Sequence, residues 1–189
     1  MSGRFTDVAK RAFSFLDDEG LRLVRCESHA LRYENSQVFV AVEWDARSGE
    51  LNVYLGLQPK NGQRADAFSL NDLLGMEQAG SPASNMPFQV ADESRLEPFL
   101  EELATKVSIH AAPALAGDRM YFRRLKTFRS AQSEAYMREM ELRQVRSEAE
   151  NAWREGNFRE VARLYMSIER DLSKSEKAKL AYARQHQVR

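Results

Sequence analysis

Two acidic residues in the N-terminal half are the clearest candidates for chemistry in this sequence. Glu43 and Asp45 are two positions apart, with Trp44 between them. If this run is a strand, both carboxylates lie on one face, where they could act as general acid and base. Acidic residues are also common where a strand enters a hairpin turn, without any catalytic role. A small enzyme that uses Glu43 and Asp45 is therefore the alternative hypothesis rather than the preferred one.

Cys26 and His29 form a second pair that could do chemistry, as a thiol nucleophile and its base. Thiolate activation needs positively charged surroundings, however, and Glu27 beside the cysteine works against it. We therefore expect Cys26 to be a free and partly buried thiol. A single cysteine forms no internal disulfide and is typical of a protein from a reducing compartment.

The sequence contains no motif that binds a metal or a nucleotide cofactor. His29, His110 and His186 lie far apart, and none has a cysteine or carboxylate at ligand spacing. No glycine-rich phosphate-binding loop is present. We therefore predict no metal, no cofactor and no catalytic residue.

The densest basic cluster is interleaved with aromatic residues, a combination that can bind nucleic acid. It comprises Arg119, Arg123, Arg124, Lys126 and Arg129, with Tyr121, Phe122 and Phe128 between them. On a helix, Tyr121, Leu125 and Phe128 share one face, while the basic residues Arg119, Arg123 and Lys126 lie off it. This pattern predicts an amphipathic helix, and the net charge of zero argues against a nucleic-acid partner. We take the three basic residues as candidate contacts to another protein.

The net charge of zero hides an asymmetry between two parts of the chain. Residues 1–116 carry 11 Lys and Arg against 17 Asp and Glu, and residues 117–189 carry the remaining 17 and 11 of the 28 of each sign. The two parts can therefore attract each other or bind different partners. The sequence has no apolar run of about 18 residues and no signal-peptide pattern at its start, so we expect a cytoplasmic protein, of bacterial type, that does not cross a membrane.

Hydrophobic periodicity predicts an α+β domain over residues 1–116. An amphipathic helix over 5–16 ends before Gly20, and four short runs with turn residues between them predict an antiparallel meander. The third run is apolar on both faces and is expected at the centre of the sheet. Two helices follow, the first capped by Ser69 and the second preceded by a Ser94–Glu97 capping box. The predicted strands cover 21–26, 30–33, 37–44 and 50–57.

Residues 117–189 are predicted to be a helical extension. Asp118 can cap a helix of about 35 residues that ends at Gly156. A second helix is expected over 158–172, and Ser173 can cap a third that runs to about 185. The fold class is therefore α+β, with an N-terminal helix, a four-stranded meander and two helices, followed by a long helix and a C-terminal helical hairpin.

The hairpin carries a motif with spaced aromatic and small residues. Gly156, Phe158, Val161 and Tyr165 follow Trp153 at spacings that resemble the middle of a tetratricopeptide repeat, over roughly 35 residues. The usual alanine is Val161 here, Ser173 stands where a proline often closes the unit, and no second copy is visible. The resemblance implies one repeat-like hairpin that binds another protein. The candidate contacts there are Trp153, Phe158, Tyr165 and Tyr182.

The sequence as a whole therefore predicts a non-catalytic module that binds another protein. The N-terminal part is broadly similar in architecture to small α+β domains of bacterial proteins, including some immunity proteins that neutralise a toxin. The acidic balance of residues 1–116 suggests that specific version of the hypothesis. A structural protein that forms a homodimer through its helical tail is a further alternative.

Overall fold

The computed structural model describes residues 3–59, 65–78, 88–90 and 92–186. The chain has the predicted mixed α+β class. It divides into two compact units, residues 1–129 and 130–189, which we call the head unit and the tail unit. The boundary expected from the sequence, between residues 116 and 117, lies before this division. The first turns of the following helix belong to the head unit because they bury Tyr121, Phe122 and Leu125 in its core.

The sheet of the head unit is the predicted antiparallel meander with two short additions. Each main strand pairs with the next in sequence, and β3 lies between β2 and β4 as expected. The additions, β5 and β6, both pair with β4 and were not predicted, since each is too short to show an alternating pattern. The strands are β1 Arg22–Glu27, β2 Ala30–Glu34, β3 Val38–Asp45, β4 Glu50–Leu57, β5 Ala67–Ser69 and β6 Phe88–Gln89.

The helices of the head unit differ from the sequence prediction in two places. The predicted helix over 5–16 is two helices, α1 Arg4–Ala12 and α2 Phe15–Asp18. Ser69 and Asp72 form a capping box at the start of α3, as Ser69 was expected to cap it. The predicted Ser94–Glu97 box is wrong, because a 3₁₀ turn precedes α4 and Asp92 accepts the Ser94 N–H instead. The helices here are α3 Leu70–Glu77, α4 Leu96–His110 and α5 Ala112–Leu115.

One face of the sheet and the helices build the core of the head unit. Alternate residues of β4, namely Leu51, Val53 and Leu55, point into it, and α1 and α4 contribute fully buried residues such as Phe5 and Leu100. Burying each large apolar side chain contributes about 1.5–3 kcal/mol. The strong one-face burial fixes the strand register, since a slip of one residue would expose all three β4 side chains.

The described part of the tail unit is built from two shorter helices and the portion of a long helix that follows residue 129. The helix α6 spans Arg119–Arg154, and Asp118 caps it by accepting the N–H of Met120 at 2.7 Å. Gly156, with φ of +72°, makes the turn to α7 Phe158–Ser167. A 3₁₀ turn over Glu169–Asp171 follows, so the predicted helix over 158–172 is shorter than expected. The last helix, α8 Lys174–Gln185, begins with a Ser173–Glu176 capping box.

The buried core of the tail unit involves all three of its helices. Its members are Ala149, Ala152, Val161, Ala162, Leu164, Tyr165, Ile168, Leu172, Leu180 and Ala183. Small residues on α6 and α8 allow close approach of the helices, and Tyr165 fills the space between them.

Candidate functional site

The end of β3 forms a small cleft of about 250 Å³, which we call the acidic cleft. It brings together Glu43 and Asp45, the carboxylates singled out in the sequence, and adds His29 from the β1–β2 turn. The His29 ring lies 5.4 Å from the Trp44 ring, and its Nδ1 is 2.9 Å from the Ser28 hydroxyl. The lining residues are Glu27, Ser28, His29, Ala30, Glu43, Trp44 and Asp45.

The two carboxylates of the acidic cleft are not arranged as an acid–base pair. Asp45 accepts the backbone N–H of Arg47 at 2.8 Å in the β3–β4 turn. That hydrogen bond lowers the pKa of Asp45, with further help from Ser48, so the group stays ionised and is a poor proton donor. No hydrogen bond joins Glu43 to Asp45 or to His29 among the residues that the structure describes. The cleft therefore offers negative charge rather than a matched acid and base.

The single cysteine lies outside this cleft. Cys26 is exposed on β1, at an edge of the sheet, so the expectation of partial burial is wrong. Since β1 pairs with β2 on one side and is the last strand on this side of the sheet, no neighbouring strand of the described chain covers the thiol. The thiol does not line the acidic cleft with His29.

The opposite end of β3 borders a larger cleft, of about 600 Å³, which we call the basic cleft. With eight residues in β3, the two clefts lie about 23 Å apart along the strand. The basic cleft is bounded by the β2–β3 turn, the end of β4, the start of β5 and the first turns of α6. Its described lining residues are Ser36, Gln37, Leu57, Gln58, Pro59, Ala65, Asp66, Phe68, Gly117, Arg119, Phe122, Arg123 and Lys126.

All three basic residues selected from the sequence line this cleft. Lys126 forms an ion pair with Asp66 at 3.0 Å. Within the described ranges, the side chains of Arg119 and Arg123 have no ion pair or hydrogen bond, and both are exposed. The structure thus collects Arg119, Arg123 and Lys126 around one concavity of the head unit.

The four aromatic candidates of the tail unit separate into a surface group and a core residue. The rings of Trp153, Phe158 and Tyr182 contact each other edge to face, with centroids 5.3–5.5 Å apart. Tyr182 is 44% exposed and stacks on His186 at 3.9 Å, while Trp153 and Phe158 are partly buried. We call Trp153, Phe158, Tyr182 and His186 the aromatic patch.

Tyr165 does not belong to the aromatic patch. Only 2% of its surface is exposed, and it is the largest fully buried side chain of the tail unit. Burial also raises the pKa of its phenol. Its ring is part of the core and is not available to a partner in the folded unit.

The described residues contain neither a cluster of three or more His, Cys, Asp and Glu that could hold a metal ion nor a helix that is long and apolar enough to cross a membrane.

The sequence alone did not reveal the floor of the basic cleft, which is formed by Phe68 and Phe122. These two residues are far apart in the sequence, and no local pattern connects them.

Comparisons with known proteins returned no match among family models, curated proteins or solved structures. The resemblance of the hairpin to a tetratricopeptide repeat therefore stays a prediction. The geometry on which it depends is Gly156 in the left-handed region between α6 and α7, with Tyr165 buried between the helices.

Proposed function

We propose that this chain is a non-catalytic module that binds another protein, with the aromatic patch of the tail unit as the main contact surface. The proposal rests on one observation. The rings of Trp153, Phe158 and Tyr182 contact one another and are partly exposed. Tyrosine and tryptophan are enriched at the energetic centres of protein interfaces, because a rigid ring buries much apolar area at low entropic cost.

The aromatic patch lies against the outside of the buried core of the tail unit. The buried core consists of aliphatic residues and Tyr165, and the patch residues Trp153 and Phe158 are partly buried against it. Charged groups border the patch at Trp153, where the Lys179 ammonium lies 5.3 Å from the ring centroid and forms an ion pair with Glu150. An aromatic centre with a polar rim is the usual anatomy of a protein interface.

The acidic cleft supports the non-catalytic part of the proposal. Asp45 accepts a hydrogen bond within the β3–β4 turn. In the described part of the chain, Glu43 has no hydrogen-bonded partner with which it could form an acid–base pair. The cleft's carboxylates would instead favour a basic partner surface. A toxin-neutralising role is the specific version of this idea, and it requires a basic partner whose binding weakens with salt.

Affinity capture from the native host tests the proposal. The full-length tagged protein is used at low and high salt, and partners are quantified by mass spectrometry. We expect one stoichiometric protein with the unaltered chain, and at least about a tenfold loss of capture with Tyr182→Ala, since hot-spot truncations cost about 2 kcal/mol or more. Tyr182→Phe keeps the ring and should retain capture.

Tyr136→Ala provides the matched control. Tyr136 is 62% exposed on α6 and makes no ring contact with the aromatic patch. Equal losses with Tyr136→Ala and Tyr182→Ala, or no stoichiometric partner at either salt concentration, would contradict the proposal. Circular dichroism of each variant shows whether the fold is retained.

Self-association through the tail is a second candidate, which a different observation favours. Tyr136, Met137 and Met140 are exposed apolar residues within one turn of α6, at 62%, 66% and 40% exposure. Light scattering on the full chain would show a dimer that Met137→Glu converts to a monomer. A monomer at all concentrations without the substitution would exclude this candidate.

A further inference from the structure

The basic cleft of the head unit has a shape and composition that its role in folding does not explain. Its volume of about 600 Å³ lies within the range of small-molecule sites, which is about 300–1,000 Å³. Clefts of this kind combine an apolar floor with a few polar groups that fix the orientation of a ligand. The basic cleft has both components.

The floor of the basic cleft is aromatic. Phe68 of β5 and Phe122 of α6 lie with ring centroids 6.0 Å apart, and Leu57 adds aliphatic surface beside them. The guanidinium of Arg129 stacks on the Phe68 ring at 4.3 Å, and it also forms an ion pair with Asp72 at 2.9 Å, which holds this part of the floor in place. Phe68 and Phe122 are only 3% and 4% exposed, so they close the bottom of the cleft, and the accessible apolar surface comes from the partly buried Leu57 and the exposed Pro59.

The rim of the basic cleft carries unpaired positive charge. Arg119 and Arg123 are one turn apart on α6, so their side chains lie on the same side of the helix. Neither has an ion-pair partner in the described ranges, whereas Lys126 is paired with Asp66. With three cations and one carboxylate, the described lining residues have a net charge of +2. Two guanidinium forks in this arrangement suit the oxygen atoms of a phosphate or carboxylate.

One end of the basic cleft is held closed by a tight contact. Gly117 precedes α6 with φ of +72°, and an added Cβ there would lie 2.7 Å from the Gln37 side-chain oxygen. The start of α6 therefore lies directly against the β2–β3 turn, and the amide side chains of Gln37 and Gln58 complete the polar part of the wall. The backbone that carries the two arginines is thus packed closely against the β2–β3 turn.

From this combination we infer that the basic cleft binds a small organic anion, namely a flat apolar ring that bears a phosphate or carboxylate group. The ring contacts Leu57, Pro59 and the narrow exposed edges of Phe68 and Phe122. Arg119 and Arg123 bind the anionic group. The inference does not depend on the aromatic patch, because every residue that carries it belongs to the head unit.

Isothermal titration calorimetry on the full-length protein tests this inference with three probes. 1-Naphthyl phosphate has both the ring and the anion, inorganic phosphate has only the anion, and 1-naphthol has only the ring. We expect one molecule of 1-naphthyl phosphate to bind per chain, about tenfold or more tightly than either of the other two probes. Absence of 1-naphthyl phosphate binding, or equal binding of inorganic phosphate, would overturn the inference.

Two double variants locate the binding. Arg119→Gln with Arg123→Gln should weaken 1-naphthyl phosphate binding about tenfold or more, because charge-assisted hydrogen bonds to the anion are lost. Arg124→Gln with Arg159→Gln removes the same charge from exposed positions outside the cleft and should leave the affinity unchanged. Equal weakening in the two double variants would show that only net charge matters and would also overturn the inference. Because all four arginines are exposed, these substitutions are compatible with a folded protein.

Discussion

Replacement of Tyr165 by alanine is expected to destabilise the tail unit by about 3–5 kcal/mol, as for other buried aromatic residues. Tyr165 is 2% exposed and packs in the core with Val161 and Leu180. The lost ring would leave a cavity between helices that cannot collapse without moving α7. Such a cost is a large part of the stability of a small domain, so we expect the tail unit of this variant to unfold at a much lower urea concentration.

Urea denaturation followed by NMR measures this effect in each unit. Trp44 lies in the head unit and Trp153 in the tail unit, so their indole N–H signals report the two units separately. The control is Tyr165→Phe, which keeps the ring. The phenol oxygen is not a buried polar atom without a partner, so its removal should cost less than about 1 kcal/mol. A Tyr165→Ala cost below about 1 kcal/mol would contradict the assignment of this ring to the core.

Replacement of Gly56 by alanine is expected to destabilise the head unit by about 3 kcal/mol, the upper end of the usual range for overpacking. Gly56 lies on β4, opposite Phe39 of β3. An added Cβ would be 2.5 Å from Phe39 Cε1 and would also overlap the carbonyl oxygen of Asp66. The Phe39 ring is held by its neighbours, including the Arg32 guanidinium at 3.9 Å, and the Asp66 carbonyl belongs to the backbone, so neither can move easily.

Gly20→Ala is the matched control for this prediction. Gly20 has φ of +78° with nothing within 4 Å of an added Cβ. Alanine at position 20 would strain the backbone without a steric clash. We therefore expect the free energy of unfolding to fall by about 1–2 kcal/mol. The free energy of unfolding, measured from the Trp44 signal, should therefore fall more for Gly56→Ala than for Gly20→Ala. The opposite order would show that the strand has room for a side chain at position 56.

Much of the fold was predictable because its signals are local. The four main strands follow from alternation and turn residues, and Ser69, Asp118 and Ser173 cap the helices that their positions indicated. Gly156 likewise has the positive φ that ends a helix before a tight turn. Each of these features depends on residues within a few positions of one another.

The arrangement of the candidate surfaces was not predictable, because it depends on contacts between distant residues. Asp66 and Lys126 are an example, since their ion pair joins the start of β5 to α6 across the basic cleft. The sequence also did not distinguish Tyr165 from Tyr182, since both fit a helical aromatic stripe. Only the packing of three helices decides that the first is buried and the second is 44% exposed.

The most direct test of the proposed partner-binding surface is hydrogen–deuterium exchange of the full chain, alone and in complex with its captured partner. We expect slower exchange in the peptides that cover the aromatic patch, around Trp153–Phe158 and Tyr182–His186, with little change at the exposed Tyr136 segment of α6. Protection confined to the head unit, with the aromatic patch exchanging at its free rate, would contradict the proposal that the tail unit makes the main contact.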